Sequence, residues 1–301
     1  MIAEHDPRDV IHRLVRWADG KASICAMLLT STRAKPDAPV DVLSDYDVVL
    51  VVEDIRPFYE DRSWLEDFGE VLVAYWDPVY LDPDHGVDQT GNVVEYADGP
   101  RIDFRLWPPA LARRIAKTPG LPPELDDGYS VLLDKDGLFE GMSPPGHAAF
   151  VPERPDEKAY LTLVNDFFSV APGVAKYLWR DELLPAKWCL EYDMKHLHLR
   201  PMLEWRMEID RGWSEPAGNL GKGLKRRLSP EIWAEVESTY AGAGIEDNWE
   251  ALFRTMALFR LVATEVAEDL GYSYPIDLDR RVTEYVRAIK NLKRGLSEGP
   301  S

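Results

Sequence analysis

The chain has 301 residues, 45% hydrophobic and 11% aromatic, which describes a folded globular protein with material for one large core or two ordinary ones. Its formal net charge of −18 argues against broad nucleic-acid binding, which needs a basic footprint. No apolar run reaches the ~18 residues of a membrane span, MIAEHDPRDV lacks a secretory layout, and Cys25 and Cys189 stand alone, so a reduced cytoplasm is the expected setting.

In chain order, the first element reads as a helix. Asp6 is its cap, Pro7 sits in its first turn, and Val10, Ile11, Leu14, Val15 and Ala18 form a stripe ending near Gly20. SICAMLLTST is a run of strand length, followed by a loop with Pro36 and Pro39. DYDVVLVVED is a second strand, apolar after its acids and therefore central, and VLVAYW is a third. VVEYADGPRIDFRLW reads as a hairpin turning at Asp98-Gly99. In its second arm Arg101, Asp103 and Arg105 share one face, and Ile102, Phe104 and Leu106 the other. VLLDKDG closes this mixed α/β part.

GMSPPGHAAFVPERPDE is a Pro- and Gly-rich linker, and beyond it the periodicity is helical. In NWEALFRTMALFRLVATEVAEDLGY, Trp249, Leu252, Phe253, Met256, Phe259, Val262 and Val266 make one stripe, and Gly271 stops it. A domain of residues 1–150 followed by a helical domain of residues 151–301 is expected.

Chemistry concentrates in the first part. Asp45 and Asp47 are two apart at the mouth of a strand, so their carboxylates point the same way. If the strands are neighbours, Asp103 joins them beside the hydroxyl-rich turn Thr30-Ser31-Thr32-Arg33. Carboxylates a few ångströms apart repel by several kcal/mol at an effective dielectric near ~20, unless protons or cations sit among them. Mg²⁺, one ion or two, suits such hard oxygen donors and bridges nucleotide phosphates. A D-x-D alone is commonly a solvated strand entrance; the TSTR turn and the RIDF arm lift it above that. Between Arg62 and Arg101 there is no Lys or Arg but nine acids, a region that would draw a cationic ligand.

Strand, small-residue turn, then D-x-D on the next strand resembles the nucleotidyltransferase superfamily. Over about residues 7–293, LLTSTRAKPDAPVDVLSDYDVVLVV, SWLEDFGE, RIDFRLWP, LLDKDG, AKYLWRDELLPAKW and GYSYP resemble, in order and spacing, the aminoglycoside 6-adenylyltransferase family. The resemblance implies an α/β (α+β) nucleotidyltransferase-like N-terminal domain with a small mixed sheet, followed by an all-α helical domain. It implies Mg²⁺-dependent transfer of AMP from ATP to a streptidine hydroxyl of streptomycin, releasing pyrophosphate, an antibiotic-resistance activity. By position, Asp45 and Asp47 match the metal pair. Asp103 matches the third carboxylate, as general base first and metal ligand second or jointly. Ser31 and Arg33, with Ser44, match the part that meets the nucleotide phosphates. Thr32 stands in place of a Ser, and GKGLKRRL departs from the family pattern, which leaves Lys222 unassigned.

In the helical domain Lys176 and Arg180 are four apart on one helix face. They are expected at the β- and γ-phosphates, assisted by Lys187, or else are ordinary surface cations. Asp181 and Glu182 are expected on the guanidinium groups of streptomycin, or else in intrahelical salt bridges. Trp179 stacks on a guanidinium or sugar face, or else is a core tryptophan. His196 and His198, two apart on a helix, make a poor metal pair. The expected partners are therefore small molecules, ATP and a cationic aminoglycoside, on a monomer with no nucleic acid and no membrane. Two rivals stay open: a same-fold enzyme with a protein or another small cationic acceptor, and a non-enzymatic ligand-binding homologue.

Overall fold

The computed structural model describes residues 7–36, 38–81, 88–97 and 99–293. The expected cap Asp6, the expected turn residue Asp98 and the acids Asp82 and Asp84 lie outside the described residues. The chain divides into two compact units, Met1–Ala149 and Phe150–Ser301.

The first unit is a mixed sheet with helices on both faces. Its elements are α1 (Pro7–Asp19), β1 (Ile24–Thr30), a 3-10 turn Ser31–Ala34, β2 (Tyr46–Val52), α2 (Ile55–Glu60) and a 3-10 segment Ser63–Phe68. Then come β3 (Val71–Trp76), β4 (Tyr80–Leu81), β5 (Asp88–Tyr96), β6 (Ile102–Trp107), α3 (Pro109–Lys117), α4 (Pro123–Asp126) and β7 (Tyr129–Asp134). The strands lie in the order β3-β5-β6-β2-β1-β7, with short β4 on β5. β2 is parallel to β6 and antiparallel to β1, which puts the apolar VVLVV run in the middle of the sheet.

Alternation along β2 assigns each face. Tyr46, Val48, Leu50 and Val52 join Val10, Leu14, Ala18, Trp64 and Phe68 in one core. Val49 and Val51 join Leu28, Trp107, Leu111 and Ile115 in the other. Asp45 and Asp47 therefore continue the α3 side of the strand beyond the point where α3 covers it. The LLDKDG stretch is structural: the Asp134 carboxylate accepts the N–H groups of Leu138 and Phe139 at 2.9 and 3.0 Å. Lys135 donates to the carbonyls of Ala18, Asp19 and Lys21, a cation at the C-terminal end of α1.

The second unit is helical. It contains α5 (Glu157–Trp179), α6 (Leu183–Lys187), a π-helical stretch Trp188–Leu199, α7 (Arg200–Ile209), α8 (Leu224–Arg227), α9 (Pro230–Ser238), α10 (Ile245–Leu270) and α11 (Ile276–Lys290). Phe167 stacks on Phe259 with ring centroids 3.6 Å apart, joining α5 to α10 in the core. Of the expected α10 stripe all are buried except Phe253, which is half-buried. Gly271 ends the helix in the left-handed region at φ 76°, where a side chain would be strained. Among the described residues no helix is long and apolar enough to cross a membrane.

Candidate active site

The sheet register does what the sequence only made possible. Thr30 is the cross-strand partner of Asp47, and Asp47 is the partner of Asp103, so the three form one row across β1, β2 and β6. Parallel partners share a face, and Asp45, two residues upstream, stands on the same side. Burial pushes the Asp47 carboxyl up to about 6, and the neighbouring charges of Asp103 and Asp45 add to the rise. A hydrogen bond from Ser31 and the charge of Arg105 pull the other way.

Ser31 opens the turn after β1 in the left-handed region, at φ 63°. That conformation is costly for a residue with a Cβ, and such strain gathers at functional sites. The Ser31 N–H donates to the Gly128 carbonyl at 3.0 Å. Gly128 suits the close approach, since a Cβ there would lie 2.9 Å from Lys35 Cγ.

Two arginines shape the acid face. Arg101 grips Asp103 with both prongs, Nε to Oδ1 at 2.8 Å and Nη2 to Oδ2 at 2.9 Å. The same guanidinium lies 3.6 Å from Asp45 and 3.9 Å from Glu95. It is thus the counter-ion of a carboxylate cage, and its hydrogen bonds with Asp103 raise its own pKa. Sequence reasoning missed this role for Arg101 and gave Glu95 no place here. The available signal was the shared face of residues 101 and 103.

Arg33, expected at the phosphates, donates to the main-chain carbonyls of Asp41, Ser44 and Asp45 through Nε and Nη2 and lies over the Tyr46 ring at 3.9 Å. Ser44 is likewise engaged: its hydroxyl donates to Asp41 Oδ1 at 3.1 Å and accepts the Asp41 N–H at 2.9 Å, closing the loop before β2.

Asp45 and Asp47 are hard oxygen donors on one face, one 41% exposed and the other pushed up by burial and then by its neighbours, and that donor set fits magnesium. Among the described residues no three carboxylate, imidazole or thiolate groups are gathered to hold a metal ion. Each oxygen of Asp103 accepts one hydrogen bond from Arg101.

In the helical unit the expected residues separate into three kinds. Lys176 and Arg180 are exposed at the end of α5, Lys176 with its ammonium 6.0 Å from the Tyr285 ring centroid. Asp181 and Glu182 are exposed as well, and they end the helix. Asp181 is left-handed at φ 63°, and the Glu182 N–H reaches back to the Tyr177 carbonyl at 2.9 Å, a Schellman-type stop. Trp179 and Lys187 are tied down. The Trp179 indole is partly buried against the helical core and donates to the Leu292 carbonyl at 3.0 Å. The Lys187 ammonium donates to Glu191 and to the Ala241 carbonyl, at 3.1 and 2.6 Å, and shares that carboxylate with Lys195. A groove of about 420 Å³ between α10 and α11 is lined by Arg254, Arg260, Thr283 and Arg287. None of the three aspartates of the acid face lines it.

The family model for streptomycin adenylyltransferase matches residues 5–289. The chain is 32% identical over 269 residues to an aminoglycoside 6-adenylyltransferase of Bacillus subtilis (strain 168), covering 87% of this chain and 89% of that protein. It is 28% identical over 287 residues to one of Campylobacter jejuni, covering 93% and 94%. A crystal structure of an aminoglycoside 6-adenyltransferase from Bacillus subtilis is 26% identical, covers 96% of this chain and 100% of its own, and superposes with a TM-score of 0.47.

Proposed function

The chain belongs to the streptomycin adenylyltransferase family, and from that premise we propose that it transfers AMP from ATP to the streptidine 6-hydroxyl of streptomycin, with Mg²⁺, releasing pyrophosphate. The observation that carries this reading is the row of Asp47 and Asp103 in adjacent register with Asp45 beside them. Such repulsion stabilises nothing by itself and is useful where a cation is to be received.

Asp45 and Asp47 would hold the metal, which when bound supplies charge compensation and polarisation at the α-phosphorus. Ser31 and the strained turn orient the phosphates. Asp103 takes the proton of the acceptor hydroxyl as its oxygen bonds to the α-phosphorus and the bond to the β-phosphate oxygen breaks. Each Asp103 oxygen accepts one Arg101 N–H and keeps a second lone pair for that proton. Lys176 and Arg180 are proposed for the β- and γ-phosphates, and Asp181 and Glu182 for the guanidinium groups of the acceptor; all four are exposed. The acid-rich stretch between Arg62 and Arg101 favours a polycationic acceptor.

The test is pyrophosphate release from ATP and Mg²⁺, with and without streptomycin. Streptomycin-dependent release is expected. Release that requires a different acceptor replaces the substrate, and no release with any aminoglycoside removes the enzymatic reading.

A further inference from the structure

We propose that Arg33 is a positioning residue that fixes the geometry of the carboxylate pair and does not bind the nucleotide phosphates. This rests on the reading of Asp45 and Asp47 as the reactive pair. The Nε of Arg33 donates to the carbonyls of Ser44 at 3.2 Å and Asp45 at 3.0 Å, and Nη2 donates to those of Ser44 at 2.7 Å and Asp41 at 3.4 Å. The Nε–Nη2 edge, one of the two forks that would fit a phosphate in bidentate fashion, is thus filled by main chain. The guanidinium also lies 3.9 Å from the centroid of the Tyr46 ring, and that side chain is fully buried.

The peptide unit between Asp45 and Tyr46 is held at both ends. Its C=O accepts from Arg33, and its N–H donates to the Arg101 carbonyl at 3.0 Å, where β2 begins to pair with β6. One residue further, the Asp47 carbonyl accepts from Thr30 Oγ1 at 3.3 Å. A peptide plane fixed at both ends sets the dihedrals of the residues on either side of it, here Asp45 and Tyr46. The Arg33 side chain, like the Ser31 hydroxyl on the Asp47 carboxylate, couples the turn after β1 to the pair at the head of β2, and Arg33 is the one of the two that acts on the Asp45–Tyr46 peptide. Misplacing a reacting group by about 1 Å costs roughly 10²-fold in rate.

The experiment compares Arg33→Met, which keeps the stem and removes the donors, with Arg33→Gln, which keeps a neutral amide donor. Carbonyl acceptors are served in part by a neutral donor, whereas phosphate charge is not. Amide hydrogen exchange across residues 41–47 is expected to accelerate by at least about tenfold in Arg33→Met, with protection of residues 24–30 and 48–52 kept. In steady-state assays kcat falls by roughly 10²-fold while the KM for ATP stays within about twofold, and Arg33→Gln recovers part of both losses. Unchanged exchange over residues 41–47 overturns the proposal, as does a tenfold or greater rise in the KM for ATP with kcat kept. Should Arg33→Met fail to fold, Arg33→Gln is read by the same criteria. The exchange measurement needs no substrate, so it decides the clamp even if the wild-type enzyme proves to act on another acceptor.

Discussion

Asp279 and Asp47 are both carboxylates withdrawn from water, and the two units treat them in opposite ways. Asp279, on α11, is fully buried and is hydrogen-bonded by Arg260 through both prongs, by the Tyr274 hydroxyl at 2.8 Å and by Thr283 Oγ1 at 2.9 Å. Burial alone would raise its pKa; those hydrogen bonds outweigh it, and the net direction is down. Asp47 is also raised by burial but faces two more carboxylates, and it rises to about 6. The helical unit spends its buried charge on holding its own helices together. The sheet unit leaves its charge under-compensated, and an under-compensated acid in a folded site is a receiver for something positive.

The largest effect that would break this contrast is at Asp47. Asp47→Asn removes a proposed metal ligand and relieves a repulsion, so transfer should fall by roughly 10³-fold or more while the protein remains folded. Turnover near wild type would exclude the site. The mirror experiment is Asp279→Ala, which strands Arg260 beside a buried hole. Breaking a buried pair costs about 3–5 kcal/mol, and partial exposure of Arg260 lowers that to about 2–4 kcal/mol. Urea denaturation should show that loss, with the activity of the folded fraction unchanged. If both variants lose stability alike, the two acids are alike and the contrast is void.

A smaller effect tests the sign. The folded state binds the Asp47 proton more tightly than the unfolded chain, whose carboxyl titrates near 3.8. In metal-free buffer the folded form therefore carries the extra proton between about pH 4 and 6, and stability contributed there falls as pH rises through that window. A shift of about two units bounds the change at roughly 2–3 kcal/mol. Asp279 runs the other way: its contribution is present above the unfolded value and is lost as pH falls. Urea midpoints from pH 4 to 7 in a chelator should decline in the wild-type protein, and the decline should flatten in Asp47→Asn. An identical slope in the variant would assign the titration to another group.

How far such a contrast can be read from sequence depends on whether the interaction is local. The two-residue spacing in DYD put Asp45 and Asp47 on one face, and the face shared by Asp103 and the flanking arginines was visible in RIDFR. The partner of Arg33 was not. Its carbonyl acceptors lie eight to twelve residues away, on a loop whose path no period encodes. Trp179 was equally opaque, since the carbonyl that takes its N–H is at Leu292, more than a hundred residues on. The π-helical stretch Trp188–Leu199 hid for a different reason. Its wider winding shifts the inward positions, so Lys195, polar by sequence, ends almost wholly buried, with its ammonium on Glu191 and the Thr239 carbonyl.

The smallest effect concerns Arg101 and bears most directly on how the acid face works. Its guanidinium touches Asp103 and lies near Asp45 and Glu95, so it partly does within the chain what an external cation would do. It is also about one-third exposed, which limits what the ion pair contributes to the fold. Arg101→Met should therefore cost only about 1 kcal/mol or less in metal-free buffer. The informative quantity is the response to a divalent ion. With the internal counter-ion gone, Mn²⁺ titrated by its paramagnetic signal should bind several-fold more tightly, because it no longer competes with a bidentate arginine for Asp103. Weaker Mn²⁺ binding would mean that Arg101 holds Asp103 in the pose the ion needs. The arginine would then be a support of the site, and the under-compensation argued for Asp47 would be confined to the D-x-D pair.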